Sequence, residues 1–189
     1  GGSKRIKSKN ITLLAGKPMI AHTIEQVLHS KLIGRVIVST EDKKIAEVSK
    51  RYGAEVFVRP IELANDMATS ESALLNVLEE IKNRGENKPD LIVFLQCTSP
   101  VRYKDDVDNA IKTLIDKKAD SLFSATRNFG LIWSKGKDGV RPLNYNYETR
   151  KREQEMDKQY IENGSIYVFK PEILRMHNNR LGGKIEIYE

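Results

Sequence analysis

Short, continuous apolar runs alternate along this chain with stretches of helical periodicity, and few folds accommodate that alternation. Val36-Ile37-Val38, Val56-Phe57-Val58 and Leu91-Ile92-Val93-Phe94-Leu95 are apolar throughout and rich in β-branched residues. Strands covered on both faces read this way. Helical spacing predicts helices near 18–30, 42–52 and 70–84, the last with Leu74, Leu75, Leu78 and Ile81 on one face. A further helix is expected from about 104 to 117, carrying Val107, Ile111 and Leu114. The chain then offers a strand at Ser165–Phe169, a short helix after Pro171 and a last strand at Lys184–Tyr188. Strand–helix alternation predicts an α/β domain, a largely parallel sheet with helices on both faces. Ligands in such folds bind beyond the carboxyl ends of the strands. Ser39-Thr40, Arg59-Pro60 and Gln96-Cys97-Thr98-Ser99-Pro100 fall there, so three polar clusters are expected on one rim.

Residues 127–160 break the pattern. Phe129-Gly130-Leu131-Ile132-Trp133, followed by a turn at Lys135–Gly139, predicts a hairpin. Tyr145, Tyr147 and a charged stretch come next, with too few apolar residues for a separate core. Two readings stay open: an arm that contacts another subunit, or an irregular surface excursion. With 189 residues, a single domain over 1–189 with this insertion is expected.

Charge and cysteine usage narrow the partners. The net charge of +6 permits anionic ligands, but basic residues are mostly dispersed among acids, as in Glu41-Asp42-Lys43-Lys44. Basic residues concentrate at 4–9 and 150–152 without interleaved aromatics, which favours a nucleotide over a nucleic acid. No apolar run approaches the ~20 residues that span a bilayer, no secretory signal is legible, and no membrane partner is expected. The single cysteine, Cys97, excludes an internal disulfide and fits a cytoplasmic protein with a buried thiol. His22, His29 and His177 stand without carboxylate partners in any metal or triad spacing, so structural or solvated roles are expected.

The first ten residues, Gly1-Gly2-Ser3-Lys4-Arg5-Ile6-Lys7-Ser8-Lys9-Asn10, carry the strongest local signal. A glycine pair lets backbone N–H groups approach phosphate oxygens, and Lys4 and Lys9 add compact positive charge. The competing reading is a linker remnant, since Gly-Gly-Ser is common in such sequences.

Four segments in order go further: Gly1–Arg5 with Lys9-Asn10, Arg59–Ser70, Leu95–Arg102, and Tyr160–Tyr167. Together they resemble the acylneuraminate cytidylyltransferases, a family that includes legionaminic and pseudaminic acid cytidylyltransferases. The resemblance implies a Rossmann-like nucleotide-diphospho-sugar transferase fold. It also implies transfer of CMP from CTP to the anomeric hydroxyl of a nine-carbon 2-keto sugar acid, with release of pyrophosphate. An eight-carbon keto-sugar acid is the nearest alternative substrate, and a truncated, non-catalytic nucleotide-binding module is another reading.

On the family pattern, Gly1, Gly2, Ser3, Lys4, Lys9 and Asn10 lie on the nucleotide side, Lys4 and Lys9 being the catalytic charges. Arg59 and Ser70 match the cytidine pocket, although a surface salt bridge also explains Arg59. Asp66 and Thr69 read as helix caps. Gln96, Ser99 and Arg102 match the sugar-acid side, with Cys97 where the family usually has proline. Asn163, Gly164 and Tyr167 match the far wall of the sugar site. Arg152, in the run Arg150-Lys151-Arg152 with Gln154, matches an arginine that pairs with the substrate carboxylate. The resemblance further implies Mg2+, whose expected Asp-x-Asp ligands are not in this sequence, and a strand ahead of Gly1 ending in arginine. It implies a homodimer in which the 127–160 excursion reaches the neighbouring subunit.

Overall fold

A computed structural model describes residues 8–63 and 68–189. The described chain opens with a single-turn 3-10 helix at Lys9–Ile11 and a small ladder of β1 (Leu13–Leu14) and β2 (Lys17–Pro18). Then follow α1 (Met19–Leu28), β3 (Ile37–Thr40), α2 (Lys43–Arg51), β4 (Glu55–Val58), α3 (Ser70–Asn83), β5 (Ile92–Leu95) and α4 (Asp106–Asp116). After β6 (Ser121–Asn128) come the hairpin strands β7 (Trp133–Gly136) and β8 (Gly139–Pro142). The chain closes with β9 (Gln159–Phe169), α5 (Pro171–His177) and β10 (Ile185–Tyr188).

Local chemistry sets the helix ends. The Asp42 carboxylate accepts from the N–H groups of Lys44 at 2.8 Å and Ile45 at 3.2 Å, capping α2. Lys50 and Arg51 sit in its last turn, where the helix dipole favours cations. Thr69 caps α3 by accepting from Ser72 N–H at 3.1 Å, as its position in the sequence suggests. Asp66, the other expected cap, lies outside the described residues.

The chain divides into two compact units, one comprising the residues up to Ser124 together with Gly164–Tyr188, the other Ala125–Asn163 with Glu189. Within the first, a four-stranded sheet has the order β10-β6-β9-β5, and β3 and β4 form a separate parallel pair. Strand parity explains the layering. Leu122, Ile166 and Val168 pack against Val107, Ile111 and Leu114 of α4. The intervening Phe123, Tyr167 and Phe169 pack with Leu78 of α3 and Leu174 of α5. Helices therefore cover both faces, as expected.

The sheet is mixed, which qualifies the expectation of a largely parallel one. β10 runs parallel to β6, but β9 runs antiparallel to β5, with Leu95 opposite Ile166. β9 follows the long excursion after β6 instead of a crossover helix, so nothing obliges it to enter parallel.

Residues 32–40 and 89–98 border one cavity of about 1030 Å³ in unbroken succession. Successive strand residues point to opposite faces, so a void touching every one of them runs along the strand edges. β3 pairs with β4 and β5 with β9 among the described residues, which leaves one edge of each strand toward this cavity.

The second unit contains the expected hairpin, with Gly136 opposite Gly139 and a tight turn at Lys137-Asp138. Gly139 takes φ +104, a conformation natural to glycine. Trp133 contacts Tyr145 edge-on at 5.8 Å and Tyr147 at 5.9 Å between ring centroids. Asn144 accepts from Ile132 N–H at 2.8 Å and donates to Gly130 O at 2.8 Å and Gln159 Oε1 at 2.5 Å. Polar bonds and three aromatic rings thus organise a segment that lacks an aliphatic core.

Candidate active site

The expected rim forms at the polar mouth of the large cavity. Asn10, Ser39, Thr40, Arg59, Ser70, Gln96 and Thr98 all line it. Each reaches that place from an element end: Ser39 and Thr40 from the end of β3, Arg59 from just beyond β4, Ser70 from the start of α3, and Gln96 from just beyond β5. Gly1, Gly2, Ser3 and Lys4 lie outside the described residues.

Lys9 and Asn10 lie in the 3-10 turn. The Cys97 thiol donates to Asn10 Oδ1 at 3.2 Å, joining that turn to the end of β5. Burial pushes the Cys97 thiol up in pKa, against the positive charge of Lys9, so it stays protonated and able to donate. Arg59 pairs with Glu41 at 2.5 Å. Burial raises the Glu41 pKa, but hydrogen bonds to the carboxylate, that from Arg59 foremost, together with the Arg59 charge more than offset it and hold the carboxyl at about 2. Both the ion pair and the pocket position expected for Arg59 are therefore present.

Arg59 Nε and Ser39 Oγ are buried with no hydrogen-bond partner among the described residues. Such groups are costly unless something completes them. Both line the cavity, so the mouth presents unspent hydrogen-bonding capacity to a polar ligand.

Two segments far apart in sequence also converge. A Cβ added at Gly164 would stand 3.1 Å from Gln96 Oε1, and Gly164 has φ +67. Glycine is thus favoured by conformation and by the closeness of the glutamine. Ser99 N–H donates to Gln96 O at 3.1 Å, closing the turn after β5.

Three expectations change. Tyr167, read as facing substrate, is 3% exposed in the core, with the Arg180 guanidinium 4.5 Å from its ring. Its parity on β9 directs it toward α3 and α5, whereas Ile166 and Val168 face α4. Arg102, matched to the sugar-acid side, donates to four protein acceptors and does not line the cavity. Burial lowers its pKa. Cys97 is half-buried, not fully buried.

Asn163 and Arg152 belong to the second unit and are exposed. Arg152 begins a short 3-10 turn, its backbone N–H donating to Glu155 Oε2 at 3.2 Å.

Glu41, missed in the sequence, was legible in principle. Thr40 is opposite Val58 in the parallel register, which sets residue 41 beside residue 59. Thr23 and Gln26, which hold Arg102 from α1, carry no comparable signal.

Among the described residues, no three His, Cys, Asp or Glu side chains gather as a metal site. The side chains described do not fit an Mg2+ centre, and no chemical step is derived through one. No described helix is long and apolar enough to cross a membrane.

Comparison with known proteins follows from this geometry. A family model described as cytidylyltransferase matches residues 1–189. The chain is 33% identical over 193 residues to N-acylneuraminate cytidylyltransferase A of Danio rerio, covering 100% of this chain and 44% of that protein. It is 37% identical over 127 residues to pseudaminic acid cytidylyltransferase of Campylobacter jejuni, covering 67% of this chain and 54% of that protein. The chain thus spans roughly half the length of these relatives or less. The solved structure of a CMP:2-keto-3-deoxy-manno-octonic acid synthetase complexed with CTP superposes with a TM-score of 0.72 over 99% of this chain and 85% of that one. At 16% identity that likeness shows the fold alone.

Proposed function

The chain belongs to the acylneuraminate cytidylyltransferase family, and from that premise we propose that it transfers CMP from CTP to a nine-carbon, sialic-acid-like 2-keto sugar acid. The observation that carries this reading is the approach of Gly164 to Gln96 beside the same cavity mouth that Asn10, Arg59 and Ser70 line. In support of this reading, Gln96 lines the same cavity as Asn10, Arg59 and Ser70.

The anomeric hydroxyl oxygen attacks the α-phosphorus of CTP and forms the new phosphodiester. The bond from that phosphorus to the bridging oxygen breaks, pyrophosphate leaves with the electron pair, and the hydroxyl proton passes to water. Backbone N–H groups of Gly1–Ser3 with Lys4 and Lys9 neutralise the phosphates, and positioning supplies the rest. Arg59, with its uncompleted Nε, and Ser70 address the cytidine. Gln96 and Ser99 hydrogen-bond the sugar, with Gly164 beside Gln96. Mg2+ belongs to the proposal only with ligands beyond those described. The working form is a cytoplasmic homodimer joined through residues 127–160.

An eight-carbon keto-sugar acid is the second reading, since it presents the same anomeric hydroxyl and carboxylate to the site. Pyrophosphate release from CTP, measured with nine-carbon acids, eight-carbon acids and neutral sugars, separates the two. The proposal expects kcat/KM at least about tenfold higher for a nine-carbon acid, a difference of ~1.4 kcal/mol. A preference for the eight-carbon acid would overturn the substrate class.

A further inference from the structure

Arg102 follows the turn after β5, and both terminal nitrogens of its guanidinium bond to the protein. Nη1 donates to Gln26 Oε1 at 3.0 Å and Thr23 Oγ1 at 3.4 Å, both on α1. Nη2 donates to the backbone carbonyls of Gln96 at 3.0 Å and Ser165 at 2.9 Å. Gln26 closes the circuit by donating to Pro100 O at 2.8 Å. The two carbonyls belong to Gln96 and to the residue after Gly164, the pair whose approach forms the sugar-side wall. Arg102 Nε is buried with no hydrogen-bond partner among the described residues, and Arg102, unlike Arg59, does not line the cavity.

We propose that Arg102 is a positioning residue for the sugar-acid half of the site, clamping the backbones of Gln96 and Ser165 so that Gln96 and Gly164 keep their separation. The inference rests on the functional reading above. The planar guanidinium fork suits this task, because one side chain reaches α1, the turn after β5 and β9 at fixed angles. Lysine keeps the charge but cannot span the same acceptors.

The test uses Arg102→Lys, Gln96→Ala and the double variant, with kinetics for both substrates and amide hydrogen exchange. Arg102→Lys should lower kcat/KM for the sugar acid about tenfold and leave KM for CTP within about twofold. In the Gln96→Ala background, the same change should cost less than about twofold more, because a residue acting through Gln96 has nothing left to position. Exchange should quicken together in residues 95–99 and 165–168, and stay unchanged in α4. Gln26→Leu, which keeps the arginine, should move the same readouts less and covers the case in which Arg102→Lys fails to fold.

Fully additive kinetic losses would overturn the proposal in favour of direct substrate contact. Unaltered exchange, or altered exchange with normal sugar kinetics, would overturn it as well. If the unaltered chain shows no sugar-dependent turnover, the functional reading fails and the substrate role of Arg102 with it. Exchange would then still decide whether the clamp exists.

Discussion

Gly164 condenses the residue-scale argument. Its φ of +67 lies where a side chain costs ~1–2 kcal/mol, and an added Cβ would stand 3.1 Å from Gln96 Oε1. Gly164→Ala is expected to lower Tm by several degrees, at ~2–4 °C per kcal/mol for a chain of this size. It should also raise KM for the sugar acid while CTP affinity holds. Calorimetry and initial-rate kinetics measure both, and an unchanged Tm with an unchanged KM would remove Gly164 from the wall. The sequence announced this glycine and Gln96 through motif spacing, but not their contact. It misplaced Tyr167 because a motif records which residues recur and not which face of a strand they occupy. It misjudged Arg102 because its acceptors are backbone carbonyls and two α1 side chains, none of which a motif marks.

At the scale of elements, the strands and helices were legible because apolar periodicity survives in short windows. The helix expected near 70–84 is Ser70–Asn83, and that expected near 42–52 is Lys43–Arg51. The direction of β9 was not legible, since antiparallel entry depends on the path of the preceding excursion. Parallel pairing of β3 with β4 also brings Glu41 beside Arg59, with a consequence for acid stability. Glu41 ordinarily titrates near 4.5 and is held at about 2 in the folded chain. A depressed carboxylate pKa contributes stability above 4.5 that is lost as pH falls toward 2. Glu41→Gln should therefore flatten the fall of Tm between pH 4.5 and the acid limit, removing a contribution on the order of 1–3 kcal/mol at neutral pH. Thermal melts across that range check this; parallel curves for both proteins would show that the ion pair contributes nothing.

At the scale of the whole molecule, the second unit exposes Phe129, Trp133, Leu143 and Tyr147, at 62%, 46%, 57% and 58%. A two-stranded hairpin is marginal alone, and closed two-fold pairing is the commonest way to cover such residues. Light scattering is expected to give a dimer at micromolar concentration, with Trp133 fluorescence changing on dilution. A monomer with constant fluorescence would return residues 127–160 to an irregular surface excursion. The central claim concerns chemistry at one shared mouth, and product analysis tests it most directly. The chain is incubated with CTP, magnesium and a nine-carbon 2-keto sugar acid, and the phosphorus species are followed by NMR. The account predicts a phosphodiester resonance from the CMP-sugar, growing in equal amount with pyrophosphate and only when the sugar acid is present. Intact CTP under those conditions, or pyrophosphate formed equally without the sugar, would contradict it.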